Sequence, residues 1–193
     1  MNAFEAVLAV MAGIGLSAAC GFRVFVPLLV MSVAAHSGHL ELAEGFAWIG
    51  SLPALIAFSI ATALEIAAYY VPWLDNLLDT IATPAAAVAG IIVTAACITD
   101  MSPFLRWTLA VMAGGGVALT VQALTVTTRG TSTMKTAGAA NPLVSTAEAI
   151  GSVGVSLLAI LVPVLVGVVL LVLAAVVVRR LFLRRRPAAV VAG

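Results

Sequence analysis

AVLAVMAGIGLSAACGFRVFVPLLVMSVAA, residues 6–35, decides the fold. It carries one charged residue, Arg23, in a run otherwise built from aliphatic, small and aromatic side chains. A membrane-spanning helix takes roughly 20 residues, so the apolar stretch from residue 4 to 35 is too long for one upright helix and too short for two. Gly13, Gly15 and Gly21, followed by Arg23, predict a break inside it. Glycine weakens a helix, and a guanidinium does not face lipid without a partner. The stretch has no basic leader, carries Glu5 and stays apolar past residue 30, so it reads as a retained segment rather than a cleavable signal.

The rest of the chain has the same character. Of its 193 residues, 63% are hydrophobic and 9% charged, and the mean hydropathy is +1.22. A soluble domain is about 25% charged, and a chain this short has no water-surrounded core large enough to hide the excess. Four more apolar segments follow, at 53–71, 82–99, 105–128 and 150–178. The middle three fit one crossing each. Pro163 makes the last segment a tilted helix, a kinked helix or a pair of half-helices. The expected fold is all-α: a polytopic transmembrane bundle of about five spans, occupying residues 1–178, with a basic tail at 179–193.

Orientation follows from charge. The net charge of +1 gives no general attraction to nucleic acid, but Arg179, Arg180, Arg184, Arg185 and Arg186 cluster behind the last apolar run. Basic flanks stay cytoplasmic, which places the C-terminus inside and, with five crossings, the N-terminus outside. If the first segment crosses twice, only the N-terminus changes side. Among the connections, residues 36–52 form an acidic and aromatic loop. Residues 72–84 form a short amphipathic helix bounded by Pro72 and Pro84, and residues 129–149 form a long polar connection.

Small residues recur four apart: Gly13, Ser17 and Gly21; Ala86, Gly90 and Thr94; Gly114 and Ala118. Such stripes let backbones approach closely in lipid, and they suit association with a second copy as well as packing within the chain. Leu8-Ala-Val-Met-Ala-Gly13 also recurs identically as Leu109-Ala-Val-Met-Ala-Gly114. With five crossings the two copies run in opposite directions, the pattern of an inverted repeat with broken helices.

Charged residues at membrane depth mark functional positions. Arg23 and Glu65 are expected to pair, or Glu65 to line a polar cavity that binds a cation or proton. Asp75 and Asp79, four apart, share one face of their helix. Gln122, Thr125 and Thr128 follow the triple glycine Gly114–Gly116. Cys20 and Cys97 lie inside apolar runs without metal spacing, and His36 and His39 sit in a solvated loop, so neither a metal nor a cofactor is expected. No phosphate loop, dinucleotide fingerprint, H-E-x-x-H or nucleophile elbow is present, and no enzyme activity is expected.

Gly21-Phe-Arg23-Val-Phe-Val-Pro27, Glu65-Ile-Ala-Ala-Tyr69-Tyr70-Val-Pro72-Trp-Leu-Asp75-Asn76-Leu-Leu-Asp79-Thr-Ile-Ala-Thr-Pro84, the triple glycine and the Ser132-Thr133…Asn141-Pro142…Thr146-Ala147-Glu148 region together resemble the DUF4126 family of bacterial integral membrane proteins. The resemblance covers roughly residues 4–165. It implies a membrane location and no substrate. This chain differs from many members in carrying Tyr69-Tyr70 in place of Asp-Lys. The combined expectation is a bacterial inner-membrane protein, in contact with lipid, that passes a small solute, ion or lipid-like substrate. Arg23, Glu65, Asp75, Asp79, Asn141 and Glu148 would line the route. The alternative is a membrane partner or assembly protein whose buried polar residues only fix helix register.

Overall fold

The computed structural model describes residues 3–184, and the side chains of residues 3, 72–77, 174, 177, 178 and 180–184, Asp75 among them, lie outside the described set. The described residues form helices and no strand. They are α1 (Ala3–Cys20), α2 (Phe25–His36), α3 (Leu52–Ala68), α4 (Pro72–Cys97), α5 (Pro103–Leu109), a π-helical segment Ala110–Gly115, α6 (Gly116–Thr136), α7 (Asn141–Leu161) and α8 (Pro163–Arg184). Three stretches are long and apolar enough to cross a membrane: Leu78–Cys97, Pro103–Thr136 and Asn141–Leu161. The chain is an all-α membrane protein.

The first apolar segment breaks where the glycine and arginine predict. α1 ends at Cys20, and α2 starts at Phe25. α2 then doubles back along α3: Glu65 meets the start of α2, and Ser32 Oγ donates to the Ile49 carbonyl just before α3 begins. Ala43 N–H, in the loop beyond α2, donates to Ala96 O at the far end of α4 (2.8 Å). α1 and α2 are therefore a helical hairpin whose turn, Gly21–Val24, is buried. Gly21 is needed there, because a Cβ would lie 2.6 Å from the Ala118 carbonyl oxygen on α6.

The small-residue stripes meet one another inside the chain. Thr94 Oγ1 donates to Gly13 O (3.1 Å), and Ser17 Oγ donates to Gly114 O. A Cβ on Gly90 would sit 2.7 Å from the Ala118 Cβ and 2.9 Å from Gly114 O. Three helices thus touch backbone to backbone, which in lipid replaces the hydrophobic drive that water supplies to soluble cores. The π-helical segment carries this contact. Its wider turn places Gly114 on Gly90 and Thr94, while Gly115 faces Ile91.

The same pairs fix direction. Gly13 lies by Thr94 and Ser17 by Gly90, so α1 and α4 are antiparallel. Gly114 lies by Thr94 and Ala118 by Gly90, so α6 and α4 are antiparallel as well. The two copies of Leu-Ala-Val-Met-Ala-Gly therefore run parallel and flank one helix. The inverted repeat is overturned. The extra reversal is the α1–α2 hairpin, which turns what reads as one segment into two strokes of the chain.

Two further expectations need correction. Pro84 does not bound a short helix but sits inside α4. It removes one backbone hydrogen bond, and the alanines beside it, Ala82, Ala85 and Ala86, pack on or within the core and hold the helix through it. Thr83 Oγ1 adds a bond to Asp79 O (2.9 Å). Residues 129–149 are not a long polar loop, since α6 runs to Thr136 and α7 begins at Asn141. Threonine hydroxyls at 127, 128, 131 and 136 bond carbonyls four residues back, satisfying themselves on the helix. Ala137 and Gly138, at φ 52° and 86°, make the turn.

α7 runs antiparallel to α1, with Ser152 Oγ donating to Ala19 O (3.0 Å). Pro163 breaks the last segment as expected. α8 continues along α1 in the same sense: Val166 faces Gly15, Gly167 faces Met11, and Leu171 shares a cavity wall with Val7.

Candidate functional site: an ionic cluster at one end of the bundle

The buried α1–α2 turn puts Arg23 where four other helices present polar side chains. Its residue is 1% exposed. Arg23 Nη2 donates to Ser145 O (2.9 Å) and Ser145 Oγ (2.5 Å) on α7, and lies 3.4 Å from Glu148 Oε2. Arg129, reaching in from α6, grips the same carboxylate. Its Nε donates to Glu148 Oε1 (3.1 Å) and Oε2 (3.0 Å), and its Nη2 also bonds Oε2. Its Nη1 donates to Asp79 Oδ1 on α4 (2.5 Å). The fork of a guanidinium allows this double duty, where a lysine would supply one point charge.

Tyr69, just past the end of α3, holds the two cations apart. The Arg23 guanidinium carbon lies 3.8 Å from its ring centroid and that of Arg129 4.0 Å. Each guanidinium thus gains the electron-rich ring, which offsets part of the repulsion between the two positive charges. The Tyr69 hydroxyl donates weakly to Asp79 Oδ1 (3.4 Å). Arg23 Nε and Nη1 are buried without a hydrogen-bond partner.

Glu65 stands apart from these pairs. Its Oε1 accepts from Val24 N–H (2.7 Å) and its Oε2 from Phe25 N–H (3.0 Å). It therefore caps the start of α2, where unpaired amides and the helix dipole favour negative charge. Among the described residues it forms no ion pair, so the expected Arg23–Glu65 pair is replaced by Arg23–Glu148. A cavity of about 410 Å³ between α3 and α4 reaches this carboxylate, with walls that include Phe25, Leu64 and Ile81.

Of the expected site residues, Arg23, Glu65, Asp79 and Glu148 come together. Asp75 falls outside the described side chains. Asn141 lies two turns before Glu148, and its Nδ2 donates to Thr133 Oγ1 (2.9 Å), so it ties the α6–α7 hairpin rather than entering the cluster. Arg129, Tyr69 and Ser145 belong to the cluster and were not among the expected site residues. A signal for Arg129 and Ser145 exists in the sequence. Gln122, Thr125 and Arg129 are spaced three and four apart and are buried on α6, and Asn141, Ser145, Glu148, Ser152 and Ser156 repeat the pattern on α7. Arg23 follows the end of α1 and Ser145 and Glu148 lie near the start of α7, which places the cluster at one end of the bundle. No group of metal-binding side chains occurs among the described residues.

Comparison with known proteins gives one match. A family model described as a domain of unknown function, DUF4126, matches residues 10–182, a span that contains every residue of the cluster. No curated protein and no solved structure matches the chain.

Proposed function

We infer, for a chain that belongs to the DUF4126 family, that it passes a small solute or ion across the membrane and that the ionic cluster closes one end of the route. The observation that carries this reading is the position of Glu65. Two arginines face three carboxylates, and both arginines are engaged by Glu148, with Asp79 on Arg129. The excess negative charge thus rests on Glu65, which lines a cavity. A carboxylate without an ion pair of its own is costly at the edge of a bilayer, and a proton or a passing cation lowers the cost. The buried helix break beside it has the form that substrate sites take in transporters, where irregular backbone lies inside protein.

In this reading the bundle lies in a bacterial inner membrane. Arg106 and the end of α8 that carries Arg179 fall at the end opposite the cluster and mark the cytoplasmic face, which the start of α1 shares. No bond is made or broken, so the protein is not an enzyme. A second reading has its own support. The saturation of Glu148 by both arginines is what a purely structural clamp in an assembly protein would show.

Access separates the two. Cys20 and Cys97 are buried, so cysteines introduced at Ala68 and Ala82 give the signal. Labelling by a membrane-impermeant maleimide is measured in right-side-out and in inverted vesicles. A conduit gives reaction at these positions from both faces, reduced by Glu65→Gln. Reaction from one face only, unchanged by Glu65→Gln, leaves the structural clamp.

A further inference from the structure

The cavity at Glu65 opens sideways between α3 and α4, two helices that meet only where the chain turns between them. Leu64 and Ile81, on its walls, are 65% and 57% exposed, so in a membrane the mouth faces acyl chains rather than water. The small side chains of Ala68 and Ala82 line it, as does Phe25, whose amide bonds the carboxylate. At about 410 Å³ the space falls within the range of small-molecule sites.

We propose that this groove binds a cationic amphiphile, an apolar body carrying a protonated primary amine, with the ammonium seated on Glu65. The proposal rests on the translocation reading for its purpose, since it gives the class of solute, but not for its test, which reads binding alone.

Charge complementarity chooses the occupant. A carboxylate offers about four acceptor positions, and the amides of Val24 and Phe25 fill two. An ammonium supplies three donors and the one positive charge that the cluster lacks. An anion would meet the excess of carboxylates over arginines. An uncharged apolar molecule would cover Glu65 with hydrocarbon and leave its charge unanswered. The apolar walls set the other half of the ligand, because water is a poor occupant of a groove whose rim is leucine and isoleucine. The Tyr69 ring already carries two guanidinium groups, which would repel an ammonium placed there and leave Glu65 as its seat.

The test uses the full chain purified in an uncharged detergent. Decylamine is titrated at neutral pH, with decanol as the uncharged isostere and decanoate as the anionic one. Binding is read by calorimetry and by the shift in thermal unfolding. Decylamine is expected to bind about tenfold or more tightly than decanol, the margin of a charge-assisted hydrogen bond. Ala82→Phe fills the groove without touching Glu65, and it is expected to abolish that binding while the protein still unfolds cooperatively. Equal binding of amine and alcohol, tighter binding of decanoate, or amine binding that survives Ala82→Phe each overturns the proposal. Selective amine binding together with one-sided maleimide labelling would leave the site standing and remove transport.

Discussion

Glu148 is the keystone of the ionic cluster because it answers two cations at once. Breaking a buried pair by neutralising one partner costs about 3–5 kcal/mol, since the other charge is left desolvated. Glu148→Gln strands Arg129 on three contacts and Arg23 on one. Asp79→Asn touches Arg129 alone and leaves Glu148 in place. The expected outcome is therefore an order. In detergent, thermal unfolding of Glu148→Gln shows a loss of about 3 kcal/mol or more, and Asp79→Asn loses clearly less. Equal losses would mean that the cluster behaves as a diffuse field rather than as a set of directed bonds. Tyr69 explains how two arginines tolerate such proximity, and its role was not legible in the sequence. An aromatic residue at a helix end in a membrane protein reads as an interfacial anchor, and nothing local to it reveals two guanidiniums arriving from residues 23 and 129.

At the scale of elements, the contact of α1, α4 and α6 rests on glycines that differ sharply in their surroundings. Gly114 and Gly116 are neighbours in one triple glycine. A Cβ on Gly114 would meet the Gly90 carbonyl oxygen at 2.6 Å, whereas one on Gly116 meets nothing within 4 Å. Gly114→Ala is expected to lose about 1–3 kcal/mol of stability by overpacking. Gly116→Ala should gain about 0.5–1 kcal/mol from its better helix propensity. Unfolding midpoints of the two variants check this, and a loss at Gly116 would contradict the packing. The stripes at Gly13, Gly90 and Gly114 could be read from spacing alone, as could the breaks at Gly21–Arg23 and before Pro163. The α6–α7 hairpin could not. Composition marks residues 129–149 as polar, and polarity alone reads as a loop. In fact the polar residues repeat at helical spacing and bury against each other across the hairpin, as Asn141 does on Thr133. The parallel run of the two identical hexapeptides was hidden for a related reason. One buried reversal at Gly21 changes the sense of everything upstream of it, and no residue between 25 and 109 reports on it.

For the whole molecule, the path of the chain makes a topological claim. The start of α1, the loop containing Ala43 and the connection before α5 lie at one end, and the α6–α7 turn lies at the other. Reporters inserted after Glu44 and after Asp100 are expected to respond on the same face of the membrane, and one after Gly138 on the opposite face. Agreement between positions 44 and 138 would break the antiparallel path. The convergence of the cluster from distant parts of the chain also has a consequence in time. A membrane protein is made from its N-terminus, so Arg23 is committed to the bilayer while Glu148, 125 residues later, is still unmade. Glu65 arrives first and can secure the turn by its backbone amides without neutralising the guanidinium. Arg129 finds Asp79 already made, whereas the bonds of Arg23 to Ser145 and Glu148 wait for α7. The turn at Gly21–Val24 is thus shaped early and fastened late, and the first break in the chain is completed by its last third.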